Sequence, residues 1–128
     1  MYPTDDEAAR RVQAQYERTS EMVRGMPEVL HDLWAYAGNR AAVKAADGTV
    51  YAVSELTEAL RDALGHVWVT FGLLDAGEAD AASFGQLCGP GASVVARSRA
   101  LGSITLRYDQ VSAVLIDEDE PAEEEEEP

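Results

Sequence analysis

The sequence predicts an α+β domain: N-terminal helices and a central helix packed on a mostly antiparallel sheet, followed by a disordered acidic C-terminal tail. Three observations carry this. Apolar residues recur at helical spacing near the start, an Asp-Gly pair separates two short apolar segments in the middle, and the last third divides into short β-branched runs. A single domain is expected over residues 1–116 and the tail over residues 117–128.

Thr4 and Glu7 have the spacing of a capping box, in which a hydroxyl and a carboxylate satisfy the free amides of a first helical turn, so a helix should begin at Asp5. Val12, Tyr16, Thr19, Val23, Met26, Leu30, Leu33 and Ala37 then follow at alternating steps of four and three, the spacing of one helical face. Pro27 interrupts this face, because it lacks an N–H and clashes with the preceding turn. One bent helix or two helices end to end both fit, with Gly38 as the stop.

The period changes after Asn39. Ala41 to Ala46 and Thr49 to Val53 flank Asp47-Gly48, a pair that tolerates the backbone angles of a tight turn, and so read as a hairpin. Ser54 is a suitable cap for a central helix in which Leu56, Ala59, Leu60, Ala63 and Leu64 form the apolar stripe and Gly65 the stop. His66 to Leu74 reads as a strand, and Ala76 to Cys88 as a helix weakened by Gly77 and Gly85. Gly89-Pro90-Gly91 breaks the chain. Ala92 to Arg97, Ser103 to Tyr108 and Val111 to Ile116 then read as strands of a small antiparallel sheet, joined at Leu101-Gly102 and Asp109-Gln110.

The helix–hairpin–helix order of residues 5–64 is similar in topology to the YbaB-type nucleoid-associated proteins, which are dimeric. No sequence motif carries the likeness, and residues 66–116 lie outside it.

The chain of 128 residues is 46% apolar and carries a formal charge of −14. The excess is uneven: residues 117–128 hold nine carboxylates and no base, whereas residues 81–116 hold one acid against three arginines. Such a tail offers no apolar surface to offset the entropy of ordering. An acidic body disfavours direct binding to nucleic-acid phosphates and favours basic protein partners. Residues 1–30 lack the cationic start and apolar run of a secretory signal, and Val67 to Leu74 is too short to span a bilayer, so a cytoplasmic protein without membrane contact is expected. Nine Arg against one Lys fits a GC-rich bacterial or phage genome.

Few residues suggest chemistry. Cys88 is the only cysteine, which excludes a disulfide within one chain. Glu28 and His31 share one helical face, as in carboxylate-bridged metal sites, but the further glutamates and second histidine of such a site are missing; Asp62 and His66 are separated by Gly65. There is neither a Gly-x-Ser-x-Gly elbow nor a phosphate loop. Trp34, Tyr36, Trp68 and Phe71 read as packing residues of the core. No catalytic residue, cofactor or metal is therefore expected.

Two interaction surfaces remain. Arg97, Arg99 and Arg107 lie in the segment next to the tail carboxylates, among them Glu123, Glu124, Glu125, Glu126 and Glu127, which can shield a basic sheet face until a competing partner displaces them. The N-terminal stripe either covers the sheet of its own chain or, with heptad-like spacing over about 25 residues, pairs with the same helix of a second chain as a homo-oligomer. The function expected is a non-enzymatic interaction, assembly or accessory module; the alternative is a regulator acting on nucleic acid or its binding proteins.

Overall fold

The computed structural model describes residues 5–36, 38–75 and 94–116. The N-terminal stripe forms two helices, α1 (Asp5–Arg24) and α2 (Glu28–Ala35), divided at Gly25–Pro27. Pro27 takes the N-cap position of α2 with φ −58°, where its missing N–H leaves no helical bond unmade. The helix starts at Asp5 as the sequence predicts; Thr4 of the capping box lies outside the described residues, and Gly38, at φ +80°, follows the end of α2.

The expected stripe divides into two parts. Thr19, Val23, Met26, Leu30 and Leu33 are buried, whereas Val12 and Tyr16 are 68% and 56% exposed. Ala37 lies outside the described residues.

Six strands follow: β1 (Ala41–Ala45), β2 (Val50–Arg61), β3 (Val67–Leu73), β4 (Val94–Val95), β5 (Ser103–Arg107) and β6 (Val111–Ile116). The hairpin at Asp47-Gly48 is present, built as a turn from Ala45 to Gly48 in which only Gly48 takes a positive φ, +93°. Gly48 N–H donates to the Ala45 carbonyl, and Ala45 N–H to the Thr49 carbonyl. The β2–β3 hairpin repeats this design at Asp62–His66, with Gly65 at φ +89° in the equivalent place.

The predicted central helix over residues 55–64 is corrected: Ser54 to Arg61 belong to β2. The strand carries two bulges, because Val53 and Glu55 face the adjacent residues Leu73 and Gly72, and Leu56 and Glu58 face Phe71 and Thr70. Each bulge inserts one residue, Ser54 and Thr57, so the inward positions become Val53, Leu56 and Ala59, three apart instead of two. That spacing imitates a helix. Leu60 and Leu64, which a helical stripe would bury, are 37% and 83% exposed. The likeness to a helix–hairpin–helix family ends with this strand.

The strand order is β5-β3-β2-β1-β6, all antiparallel, with β4 parallel to the start of β2. The expected pairing of the last strands with one another is corrected: β5 pairs with β3 and β6 with β1, at opposite ends of the sheet. Yet only Tyr108–Gln110, one 3-10 turn, joins them. In a flat sheet the two edge strands would stand about 19 Å apart, while the chain from Arg107 to Val111 reaches at most about 14 Å. The sheet must therefore curl, and Ala46 N–H fastens the closure by donating to the Gln110 carbonyl at 2.7 Å.

Inside the curl, Val23, Met26, Leu30 and Leu33 pack on Ala41, Val43, Val53, Leu56, Ala59, Val69, Phe71 and Leu73. A smaller cluster of Ala42, Val50, Ala52 and Leu74 on the other face is covered by Val94 and Ala96. Of the aromatic residues expected in the core, Phe71 is fully buried, Trp34 and Trp68 are half-buried, and Tyr36 is 66% exposed. The predicted helix at Ala76 to Cys88 and the acidic tail lie outside the described residues.

Candidate functional site: the outer half of the first helix

β1 accompanies β2 only as far as Val53, which leaves the same edge of β2 without a strand from Ser54 on. Thr19 covers it. Its hydroxyl accepts from Ala59 N–H at 3.2 Å and donates to the Ala59 carbonyl at 3.4 Å, and the side chain is completely buried. Helix α1 is thus anchored from Thr19 onward.

Towards its N-terminus the helix runs past the end of β2, and every residue from Asp6 to Arg18 is exposed. Thirteen residues correspond to about 20 Å of helix. An isolated helix of this length is marginal in water, so the outer half depends on continuity with the anchored half. Tyr16 gains one further support: its ring stands 5.1 Å from that of Trp34, tilted by 40°, and Trp34 Nε1 donates to Ser20 Oγ at 3.2 Å. The apolar line Ala9, Val12, Tyr16 continues the line that is buried farther along. Away from that line, on the outward side of the helix, Met22 and Leu60 line a groove of about 530 Å³ with Ala14, Glu17, Arg18, Glu21 and Arg61.

The predicted arginines are placed apart. Arg107 stands across from Trp68 at the start of β3, with its Nε 2.6 Å from Asp109 Oδ1. Arg97 bridges to Asp75 just beyond the other end of β3, with Nη1 3.7 Å from Asp75 Oδ1. Arg99 is exposed on the segment leading to β5. The strands separate Arg97 from Arg107, and each has an aspartate beside it. Glu123, Glu124, Glu125, Glu126 and Glu127 lie outside the described residues, as does Cys88.

Glu28 and His31 share α2 as the spacing predicts; Glu28 is exposed, and the enclosed His31 Nε2 has no protein hydrogen-bond partner. Asp62 organises its hairpin instead of joining a metal site. Its Oδ1 accepts from the Leu64 and His66 amides, each at 2.9 Å, and Oδ2 from Trp68 Nε1 at 2.8 Å. The indole bond, followed by the two amides, holds the Asp62 carboxyl below the usual carboxylate range. Among the described residues, no three His, Cys, Asp or Glu side chains group so as to hold a metal ion, and no helix is long and apolar enough to cross a membrane.

Fold and site together define an α+β domain with a curled sheet and a half-uncovered first helix. No protein-family model, curated protein or solved structure matches the chain.

Proposed function

We propose that the protein is a non-enzymatic interaction module that serves assembly or an accessory role, and that the outer half of α1 is its recognition surface. One observation carries this reading: the apolar line that is buried from Thr19 to Leu33 continues into solvent at Tyr16 and Val12. A partner helix laid along that line gains apolar burial and stabilises a segment that is marginal alone. The nine carboxylates of residues 117–128 favour a partner with basic surface.

The test is the apparent mass of the protein in fresh extracts of the cells that make it, followed immunologically through size exclusion. The native chain should migrate in a discrete larger species, and Val12→Asp should migrate as a free monomer. Equal migration of both at the monomer position overturns the proposal.

A further inference from the structure

We infer that Arg97 and Arg99 form a docking site for the chain's own C-terminal carboxylates, with Glu123 to Glu127 lying against them while no partner is bound. The contact involves neither α1 nor the partner proposed for it. A basic partner that draws the carboxylates away uncovers the two arginines.

The sheet places the end of β6 and the two arginines at one end of the domain. Ile116 pairs with Ala41, Ala41 with Val53, and Val53 with Leu73. Beyond this row, Arg97 N–H donates to the Leu74 carbonyl at 2.7 Å, and Leu73 N–H donates to the Gly102 carbonyl at 3.1 Å. Between these anchors the chain turns: Ser98 and Leu101 exchange both backbone bonds, at 2.9 and 3.3 Å, which sets Arg99 at the tip. The three strand spacings from Ile116 to Leu73 amount to about 14 Å, so both arginines lie within about 25 Å of Ile116. Glu123 to Glu127 are seven to eleven residues past Ile116, and chain of that length reaches at most about 25–40 Å.

Charge favours the same contact. From Val94 to Arg107 the chain holds three arginines and no acid, against nine carboxylates and no base in residues 117–128. Arg99 is exposed, and among the described residues none forms an ion pair with it. Arg97 is half-exposed, and its 3.7 Å approach to Asp75 Oδ1 is longer than a hydrogen bond, so its N–H groups stay open to a second carboxylate. Asp75 and Glu55 line the small hollow beside Arg97 and offset part of its charge, which leaves Arg99 as the unbalanced cation. Arg40 is nearer to Ile116 but is half-buried and already engaged. Arg107 stands at the far end of β3, with its Nε already 2.6 Å from Asp109 Oδ1. Exposed ion pairs are weak singly and screened by salt. The contact therefore depends on several glutamates sharing two arginines at the high local concentration that a short tether gives.

The experiment uses the full chain carrying Cys88→Ser and a spin label introduced through Pro128→Cys, which keeps all nine carboxylates, with paramagnetic broadening of the backbone amides read by NMR. Broadening should be strong from Ser98 to Leu101. It should fall there by about twofold or more in the Arg97→Gln, Arg99→Gln double variant, and likewise in about 1 M salt, while Ala42 and Leu115, close to the tether, keep theirs. Labelled chains mixed with unlabelled, isotope-enriched chains should produce no broadening. Broadening of the turn that neither the substitutions nor salt reduce overturns the inference, as does equal broadening at Tyr108 to Gln110 beside Arg107. Broadening of the turn in the mixed sample overturns docking within one chain in favour of contact between copies.

Discussion

Thr19 and Ala59 hold each other: one buried hydroxyl answers both backbone groups of a residue on the edge of β2 that β1 does not reach. This contact divides α1. On its C-terminal side the helix is part of the core, and on its N-terminal side the same apolar line is open to solvent. The point where β1 ends along β2 thus determines where α1 must supply a polar group, and from there how much helix is left uncovered.

Replacing Thr19 by Val keeps the volume and removes both bonds, leaving the Ala59 amide and carbonyl buried without partners. Urea unfolding should show a loss of about 1–3 kcal/mol. An unchanged midpoint would mean that this edge of β2 finds another donor and acceptor.

Leucine truncations separate the bulged strand from the helix that its spacing imitates. Leu56→Ala should cost about 2–5 kcal/mol because the side chain is fully enclosed. Leu64→Ala, at the tip of the β2–β3 hairpin, should change stability by no more than about 0.5 kcal/mol. Comparable losses at both positions would fit a helical stripe and contradict β2.

The misreading of this segment has a definite cause. A regular strand alternates at two, and Val53, Leu56 and Ala59 depart from it only because Ser54 and Thr57 are extra residues whose hydroxyls bond across to the carbonyls of Gly72 and Thr70. Nothing in the local sequence announces such bulges. Gly65 added to the ambiguity, since the positive φ that ends a helix also closes a hairpin. The signal that could have resolved it was the spacing shared with the first hairpin: Gly65 lies four residues after Arg61 as Gly48 lies four after Lys44. By contrast, α1, α2, the first hairpin and strands β3, β5 and β6 were legible, because each has regular periodicity between clear breakers. The candidate site was half legible. The stripe was visible in the sequence, whereas the place where burial stops depends on the length of β1, a tertiary relationship that periodicity does not contain.

Asp62 should make folding depend on pH. Its carboxyl titrates below the ordinary 3.8 in the folded chain because the Trp68 indole and two amides bond to the charged form. The sign follows: its stabilisation is fully present above the unfolded value and is lost as pH falls through the lower folded one. The stability difference between the native chain and Asp62→Asn should therefore be constant near neutrality and shrink below about pH 4, with Trp68 fluorescence changing over the same range. A difference that stays constant to pH 2 would contradict the bond to the indole.

Val12→Asp should leave the domain intact, since Val12 is 68% exposed and lies outside the core. Its thermal unfolding should match that of the native monomer within about 0.5 kcal/mol, while far-ultraviolet dichroism should report less helix as the outer turns lose their cover. Loss of the folded domain would instead mean that the outer half of α1 supports the sheet directly.

Recognition through the outer half of α1 is tested most directly by placing a photoreactive phenylalanine analogue at each position from Ala9 to Glu17 in turn, within the cells that make the protein. Adduct yield should follow the helical period, high at Ala9, Val12 and Tyr16 and low at Arg10, Ala14 and Glu17. A flat profile, or no adduct at any position, would show that nothing docks on this face.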